Sequence, residues 1–318
     1  MFNENKDRLV VFMASMAMLG ILFGYIGARN YFAGVDNKLA VKEEAVQEIP
    51  VAPKFEIEKD LVEAKSIYIY DLALKKEVYA RNAEDQLPLA SLSKIMSAIV
   101  ARENTSGDPE IAIKATLLPE RGGGDVRAGE KWLFSDLLDF TLLVSSNDGA
   151  SALASAVGSF ITKDKNISDE ELFINKMNEK AKELELSQTY FINESGLDLN
   201  GRVSGSYGSA KDISSLLSYA YLNHNDILEA TSYTSLNLVS IDNILHNAQN
   251  SNEALPELSG LSASKTGFTD IAGGNLAFVF EAGPMKPFVV VILGSSKDGR
   301  FSDAVKIHER VLGYLSGK

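Results

Sequence analysis

Ser91 stands three residues ahead of Lys94, and Ser145-Ser146-Asn147 and then Lys265-Thr266-Gly267 follow it along the chain. These residue types suit acyl transfer through a serine. A serine hydroxyl is a poor nucleophile until a neighbouring base takes its proton, and an amine does so once burial lowers its pKa. Lys94 is the candidate base. Ser145 reads as a hydroxyl relay for the same proton, and Asn147 as an amide that positions substrate and lysine. Lys265 reads as a fixed positive charge near a substrate carboxylate, and Thr266 as a hydrogen-bond donor to that carboxylate. Gly267 lets a strand edge come close to substrate. The backbone N–H groups of Ser91 and Phe268 are the natural pair to hold a developing oxyanion.

Each motif alone has a plainer explanation. Ser-x-x-Lys arises by chance on the order of once per few hundred positions, and a second copy stands at Ser262-Ala263-Ser264-Lys265, just as a second Ser-x-Asn stands at Ser235-Leu236-Asn237. Ser145-Ser146-Asn147 alone suits a polar break between helices, and Lys265-Thr266-Gly267 alone a strand end with a turn glycine. The local setting separates the copies. Ser91 opens a run of Leu92, Ile95, Met96, Ala98, Ile99 and Val100 that predicts a buried helix ending near Glu103-Asn104; on a helix, residues three apart share a face. Ser262 lies in a segment that reads as strand, where an odd offset sends two side chains to opposite sides. Only Ser91 and Lys94 are therefore placed to touch.

The elements around these motifs follow from periodicity. Ser66-Ile67-Tyr68-Ile69-Tyr70, a turn through Leu74-Lys75-Lys76 and a strand over Glu77 to Ala80 form a predicted hairpin. The middle of the chain is helical: Ser135 reads as an N-cap before Leu137, Leu138, Phe140 and Leu142, and Phe173, Met177 and Leu184 recur at helical spacing. Strands return at Asn275 to Glu281 and Phe288 to Leu293 around Gly283-Pro284, and Ser302 to Leu315 is a closing amphipathic helix. Strands at both ends with helices between predict a mixed α/β chain of the α+β kind. Its antiparallel sheet is flanked by helices and joined to a mostly helical subdomain over about 97–215. Gly122-Gly123-Gly124 has no Gly-Lys-Ser/Thr after it and reads as a mobile loop, not a phosphate cradle.

Leu9 to Ala28 is 20 positions without a charge, and at ~1.5 Å per residue such a helix spans the ~30 Å hydrocarbon core of a bilayer. Residues 1–29 are therefore expected to anchor the chain, since a secretory signal has a shorter apolar core of roughly 7–15 residues. Residues 30–60, with Glu43, Glu44, Glu48, Pro50 and Pro53, suit an extended acidic tether, leaving 61–318 as the globular domain.

Composition narrows the chemistry further. A formal charge of −12 and the absence of a basic stripe argue against nucleic acid. Zero cysteines exclude disulfides and thiolate metal sites, and His224, His246 and His308 are the only histidines; each reads as a surface or packing residue, and no metal or cofactor is implied. A Ser-His-Asp triad on His246 stays open on spacing alone.

The three motifs in this order resemble the serine-type D-alanyl-D-alanine carboxypeptidases, the low-molecular-mass penicillin-binding proteins. The likeness covers Leu89 to Met96, Arg127-Ala128-Gly129-Glu130-Lys131, Leu142 to Ala150, Phe191 to Asp198, Ser264 to Asp270, and Gly294 with Arg300-Phe301-Ser302-Asp303-Ala304. Ser146 departs from the glycine usual in the second motif, and the extra C-terminal β domain of some members is not expected from the residues that follow the matched segments. The resemblance implies a β-lactamase/transpeptidase-like fold with the site in the cleft between its two parts. It also implies a peptidoglycan stem peptide ending in D-Ala-D-Ala as substrate, β-lactams as covalent inhibitors, and a catalytic domain on the outer side of a bacterial cytoplasmic membrane. Two alternatives accompany it. A class A β-lactamase needs a glutamate for deacylation, which Glu171-Leu172-Phe173-Ile174-Asn175 imitates in spacing; a tethered cell-wall binding protein would keep the fold without activity.

Overall fold

The computed structural model describes residues 4–36, 55–118, 126–161 and 166–317. The chain divides into two units, Met1–Lys54 and Phe55–Lys318. In the first, helix α1 runs over Glu4–Asp36, past the boundary expected at residue 29. Within it Phe12–Asn30 is long and apolar enough to cross a membrane, and its side chains are exposed.

The second unit begins at Phe55 rather than at residue 61, because Phe55 and Ile57 are buried in its core. The acidic, proline-bearing surroundings of these two apolar residues hide them from a reading by composition. Along the chain come β1 (Ser66–Asp71), β2 (Lys76–Arg81), β3 (Leu87–Pro88), α2 (Ser93–Glu103), β4 (Glu110–Ala112), β5 (Lys131–Leu133), α3 (Phe134–Leu143), α4 (Asn147–Ile161) and α5 (Asp169–Glu183). They are followed by β6 (Tyr190–Phe191), β7 (Ser206–Gly208), α6 (Ala210–Asn223), β8 (Ser235–Val239), β9 (Leu245–Gln249), β10 (Leu261–Thr269), β11 (Gly273–Glu281), β12 (Pro287–Ser295) and α7 (Gly299–Leu315). The Gly122-Gly123-Gly124 loop lies outside the described residues.

The main sheet has the order β10-β11-β12-β1-β2 and is antiparallel throughout. First and last strands of the unit therefore meet at its centre, where β1 pairs with β12. Both faces of the sheet are covered, which explains why β12 reads as a continuous apolar run and not as an alternation. Phe288, Val290 and Ile292 pack with Ala304, Ile307 and Val311 of α7; Val289, Val291 and Leu293 face a second core shared with α2 and α6. Asp303 of α7 fastens the entry of the unit, accepting from the backbone N–H groups of Glu63 and Ala64 at 3.0 Å each.

One local expectation is corrected. Ser135 lies inside the first turn of α3, and the capping group is the Asp108 carboxylate, which accepts from the Ser135 N–H and hydroxyl at 2.8 Å each. A cap borrowed from a distant loop leaves no mark at the helix start itself.

Candidate active site

Ser91 lies in a single 3-10 turn, Ala90–Leu92, that runs directly into α2. Ala90 takes the left-handed conformation, φ 50°, a backbone state that costs a non-glycine residue on the order of 1–3 kcal/mol and persists only where surroundings hold it. The turn carries Ser91 to the N-terminal end of a helix, where backbone N–H groups have no intrahelical acceptor. Lys94, on the first turn of α2, is fully buried. Its Nζ lies 3.0 Å from Ser91 Oγ, and donates to Asn147 Oδ1 at 2.7 Å and to the Ser195 carbonyl at 2.8 Å.

Ser145 stands between α3 and α4. It is left-handed, φ 65°, and the Ser146 N–H reaches back to the Thr141 carbonyl at 3.0 Å. That is the bond pattern of a Schellman helix ending, which usually places glycine at the left-handed position. Ser146 then starts the next helix, because its Oγ accepts from the Gly149 N–H at 2.9 Å, as an N-cap serine does. The hydroxyl that replaces the family's usual glycine is thus buried in a cap, and Asn147 becomes the first residue of α4.

The third motif lies on β10, an edge strand of the main sheet. Lys265 is 2 % exposed, and its Nζ donates to Ser145 Oγ at 2.8 Å and to the Thr266 carbonyl at 3.0 Å. Burial, with added repulsion from Lys94 and Arg300, pushes its pKa well below the usual lysine value. Burial therefore works against the charge expected of Lys265, which the Ser145 hydroxyl and the Thr266 carbonyl solvate through hydrogen bonds. Thr266 pairs hydroxyl to hydroxyl with Ser251 at 2.7 Å. A Cβ added to Gly267 would stand 2.9 Å from the Leu89 carbonyl and 3.2 Å from the Ser91 nitrogen, so only glycine lets the strand approach the nucleophile turn this closely. Phe268, the next residue, is 39 % exposed.

Every residue expected at the site comes from one of three places, the turn into α2, the α3–α4 junction and β10. Hydrogen bonds link Ser91, Lys94 and Asn147 into one group and Ser145 and Lys265 into another. The second Ser-x-x-Lys copy is not a pair, since the Ser262 hydroxyl turns to the Gly260 carbonyl. His246 is occupied elsewhere: its Nε2 lies 2.6 Å from the buried Glu130 carboxylate, and its ring packs 4.7 Å from Trp132. Glu171 and Asn175 are exposed on α5.

Three contributors were given no role by the sequence, although Gly196 and Arg300 stand in segments that carry the family likeness. The Ser195 carbonyl on Lys94 is backbone and leaves no trace in residue type. Gly196, φ 80°, presses that loop onto the nucleophile turn, since a Cβ there would lie 1.9 Å from the Ala90 carbonyl. Arg300 donates from Nη1 to the Gly267 carbonyl at 2.7 Å, fixing β10 from behind.

The sequence model of the D-alanyl-D-alanine carboxypeptidase family, peptidase S11, matches residues 53–296. The chain belongs to this family. The D-alanyl-D-alanine carboxypeptidase DacF of Bacillus subtilis is 27 % identical over 256 residues, covering 77 % of this chain and 61 % of that protein. The D-alanyl-D-alanine endopeptidase of Escherichia coli is 26 % identical over 249 residues, covering 76 % and 75 %. Among solved structures, penicillin-binding protein D2 of Listeria monocytogenes in its ampicillin-bound form superposes with a TM-score of 0.64 at 27 % identity, over 78 % of this chain and 97 % of that one. The mixed α/β fold of this S11 chain, with its antiparallel sheet and flanking helices, is thus that of the penicillin-binding enzymes.

Proposed function

We propose that this S11 protein is a membrane-anchored serine D-alanyl-D-alanine carboxypeptidase that removes the terminal D-Ala from peptidoglycan stem peptides. The observation that carries the reading is the pair of buried lysines, each hydrogen-bonded to its own serine hydroxyl: Lys94 with Ser91 and Lys265 with Ser145. Family membership and the ampicillin complex of a relative supply the substrate class and the inhibitor class.

In this mechanism Lys94 is the base: two of its N–H groups are held by Asn147 Oδ1 and the Ser195 carbonyl, and once its third proton has left, its lone pair faces Ser91 Oγ and takes the serine proton. Ser91 Oγ attacks the carbonyl carbon of the penultimate D-Ala, and the oxygen that gains charge is held by the backbone N–H groups of Ser91 and Phe268. The proton passes to the leaving nitrogen through Ser145, with Lys265 as the second amine of the relay. The C–N bond breaks, free D-Ala departs, and Ser91 is left as an ester. Water then attacks that ester, its proton returns to Ser91 Oγ, and the shortened peptide leaves with a new carboxylate. Asn147 and Thr266 position the substrate, Thr266 at its carboxylate, and a developing charge beside Lys265 favours its protonated form at that stage.

Residues 9–28 would hold the protein in the bilayer, with the catalytic domain extracytoplasmic, joined through an acidic tether. Cleavage of cross-links, as in the endopeptidase relative, uses the same groups and would appear as a second product. Labelled benzylpenicillin tests the reading: the modified peptide should contain Ser91, and Ser91→Ala should lose both label and D-Ala release. Absence of any adduct on wild-type protein would overturn it. Stem peptide retained at full length by a folded protein would point to a binding protein instead.

A further inference from the structure

Asn275 is wholly buried at the head of β11, directly opposite Gly267 of β10. An amide is an expensive group to bury, so its partners indicate what it is for. The strand register between β11 and β12 breaks between Gly274 and Leu276, so the ladder is interrupted where Asn275 stands. Its Oδ1 fills the gap by accepting from the Gly294 N–H at 2.8 Å. The Nδ2 group turns outward from the sheet and donates to two successive carbonyls, those of Pro88 and Leu89, at 3.0 Å each. All three hydrogen-bonding positions nearest the sheet and the turn are thus used on backbone.

Those two carbonyls belong to the residues just before left-handed Ala90 and the nucleophile. Fixing two consecutive peptide planes fixes where the chain enters Ala90, and with it the direction of the Ser91 N–H and Oγ. The same turn is held from the other side by Gly196, whose α-carbon faces the Ala90 carbonyl. Ser93 adds a local tie, its hydroxyl donating to that carbonyl at 2.8 Å. Asn275 is the one of these holds that joins the nucleophile turn to the sheet carrying Lys265, Thr266 and Gly267.

We infer that Asn275 is a positioning residue for the reaction, an amide clamp that sets the Ser91 turn against β10 so that nucleophile and oxyanion donors stand in register. Resting on the carboxypeptidase reading above, the inference concerns geometry and not proton transfer. Misplacement of a reacting group by about 1 Å costs on the order of 10²-fold in rate. Asp in place of Asn keeps the volume and the acceptor for Gly294 but loses both donors and sets a carboxylate against two carbonyls. Ala removes all three bonds.

The test uses the full-length chain and the rate constant for acylation by a chromogenic or fluorescent penicillin. Asn275→Ala and Asn275→Asp should both acylate roughly 10²-fold more slowly, yet reach one label per protein on Ser91 at long times. The pH dependence of the rate should keep its wild-type shape, because the lysines are untouched, and kcat for D-Ala release should fall with little change in KM. Asp303→Asn, which weakens a buried clamp on the Glu63 and Ala64 N–H groups, controls for stability: it should lower the unfolding temperature and leave the acylation rate near wild type. A folded Asn275 variant acylating at the wild-type rate would overturn the inference. So would recovery of both variants only as unfolded chains, which would make Asn275 a strut of the fold. Failure of wild-type protein to label would instead remove the carboxypeptidase reading itself.

Discussion

Lys265 Nζ and Ser145 Oγ lie 2.8 Å apart, with the lysine on a sheet edge and the serine in a left-handed junction between two helices. Lys265 is 2 % exposed and its pKa is pushed well below the unfolded value of 10.5, by burial first and by Lys94 and Arg300 next. Between the lowered folded value and 10.5 the unfolded chain holds the extra proton, so stability rises with pH across that window. Lys265→Met removes the titrating group while keeping much of the volume. Its thermal midpoint should depend less steeply on pH and should not fall at neutral pH, while acylation slows by roughly 10²–10⁴-fold. Thermal unfolding at several pH values checks the first outcome; a slope equal to wild type would contradict it.

Lys94 has no exposed surface, and its Nζ is enclosed by Ser91 Oγ, Asn147 Oδ1 and the Ser195 carbonyl. Lys94→Arg keeps a cation in place, but a guanidinium does not give up its proton and is too broad for a site shaped to one nitrogen. Acylation should fall by roughly 10²–10⁴-fold at every pH from 6 to 9, measured by stopped-flow or gel labelling. A variant that labels at the wild-type rate would show that Lys94 is not the base.

What the sequence revealed of this site depended on how local each relationship is. Ser91 and Lys94 meet through helical geometry across three residues, and Phe288 to Leu293 is an apolar run that reads as a strand, so both were readable. Asn275 gave no such sign, because its partners Pro88 and Leu89 precede it by most of the domain. The surroundings of Lys265 were equally hidden: residue type states what an amine can do, but burial, with Lys94 and Arg300 beside it, lowers its pKa, and none of that is local in sequence. Phe55 and Ile57 were lost for the opposite reason, since two apolar residues in an acidic stretch resemble a linker until the surface that buries them is known.

Gly196 packs the Ser195 loop against the nucleophile turn. Its φ of 80° is left-handed, and a Cβ would lie 1.9 Å from the Ala90 carbonyl and 2.7 Å from Ser93 Oγ. Gly196→Ala therefore meets both a backbone penalty and a clash, each on the order of 1–3 kcal/mol. The loop must move, carrying the Ser195 carbonyl away from Lys94. Calorimetry should show a midpoint lower by several degrees, and penicillin acylation should slow in the protein that remains folded. A variant with wild-type stability would mean that the loop has room the structure does not show.

Ser146 departs from the glycine usual at this place in the family, and its hydroxyl is spent on the Gly149 N–H at the start of α4. The Schellman bond of the preceding helix uses its backbone N–H, which any residue except proline supplies. Substitution should therefore register in stability and not in chemistry. Ser146→Ala should lose about 1 kcal/mol of folding free energy, and Ser146→Gly only a few tenths, because glycine is itself a fair N-cap. Both should acylate within about twofold of wild type, less than ~0.5 kcal/mol in barrier. Denaturant unfolding and penicillin labelling, run side by side on the same preparations, separate the two effects; a glycine variant that acylates tenfold faster would show that Ser146 holds Ser145 away from its working position.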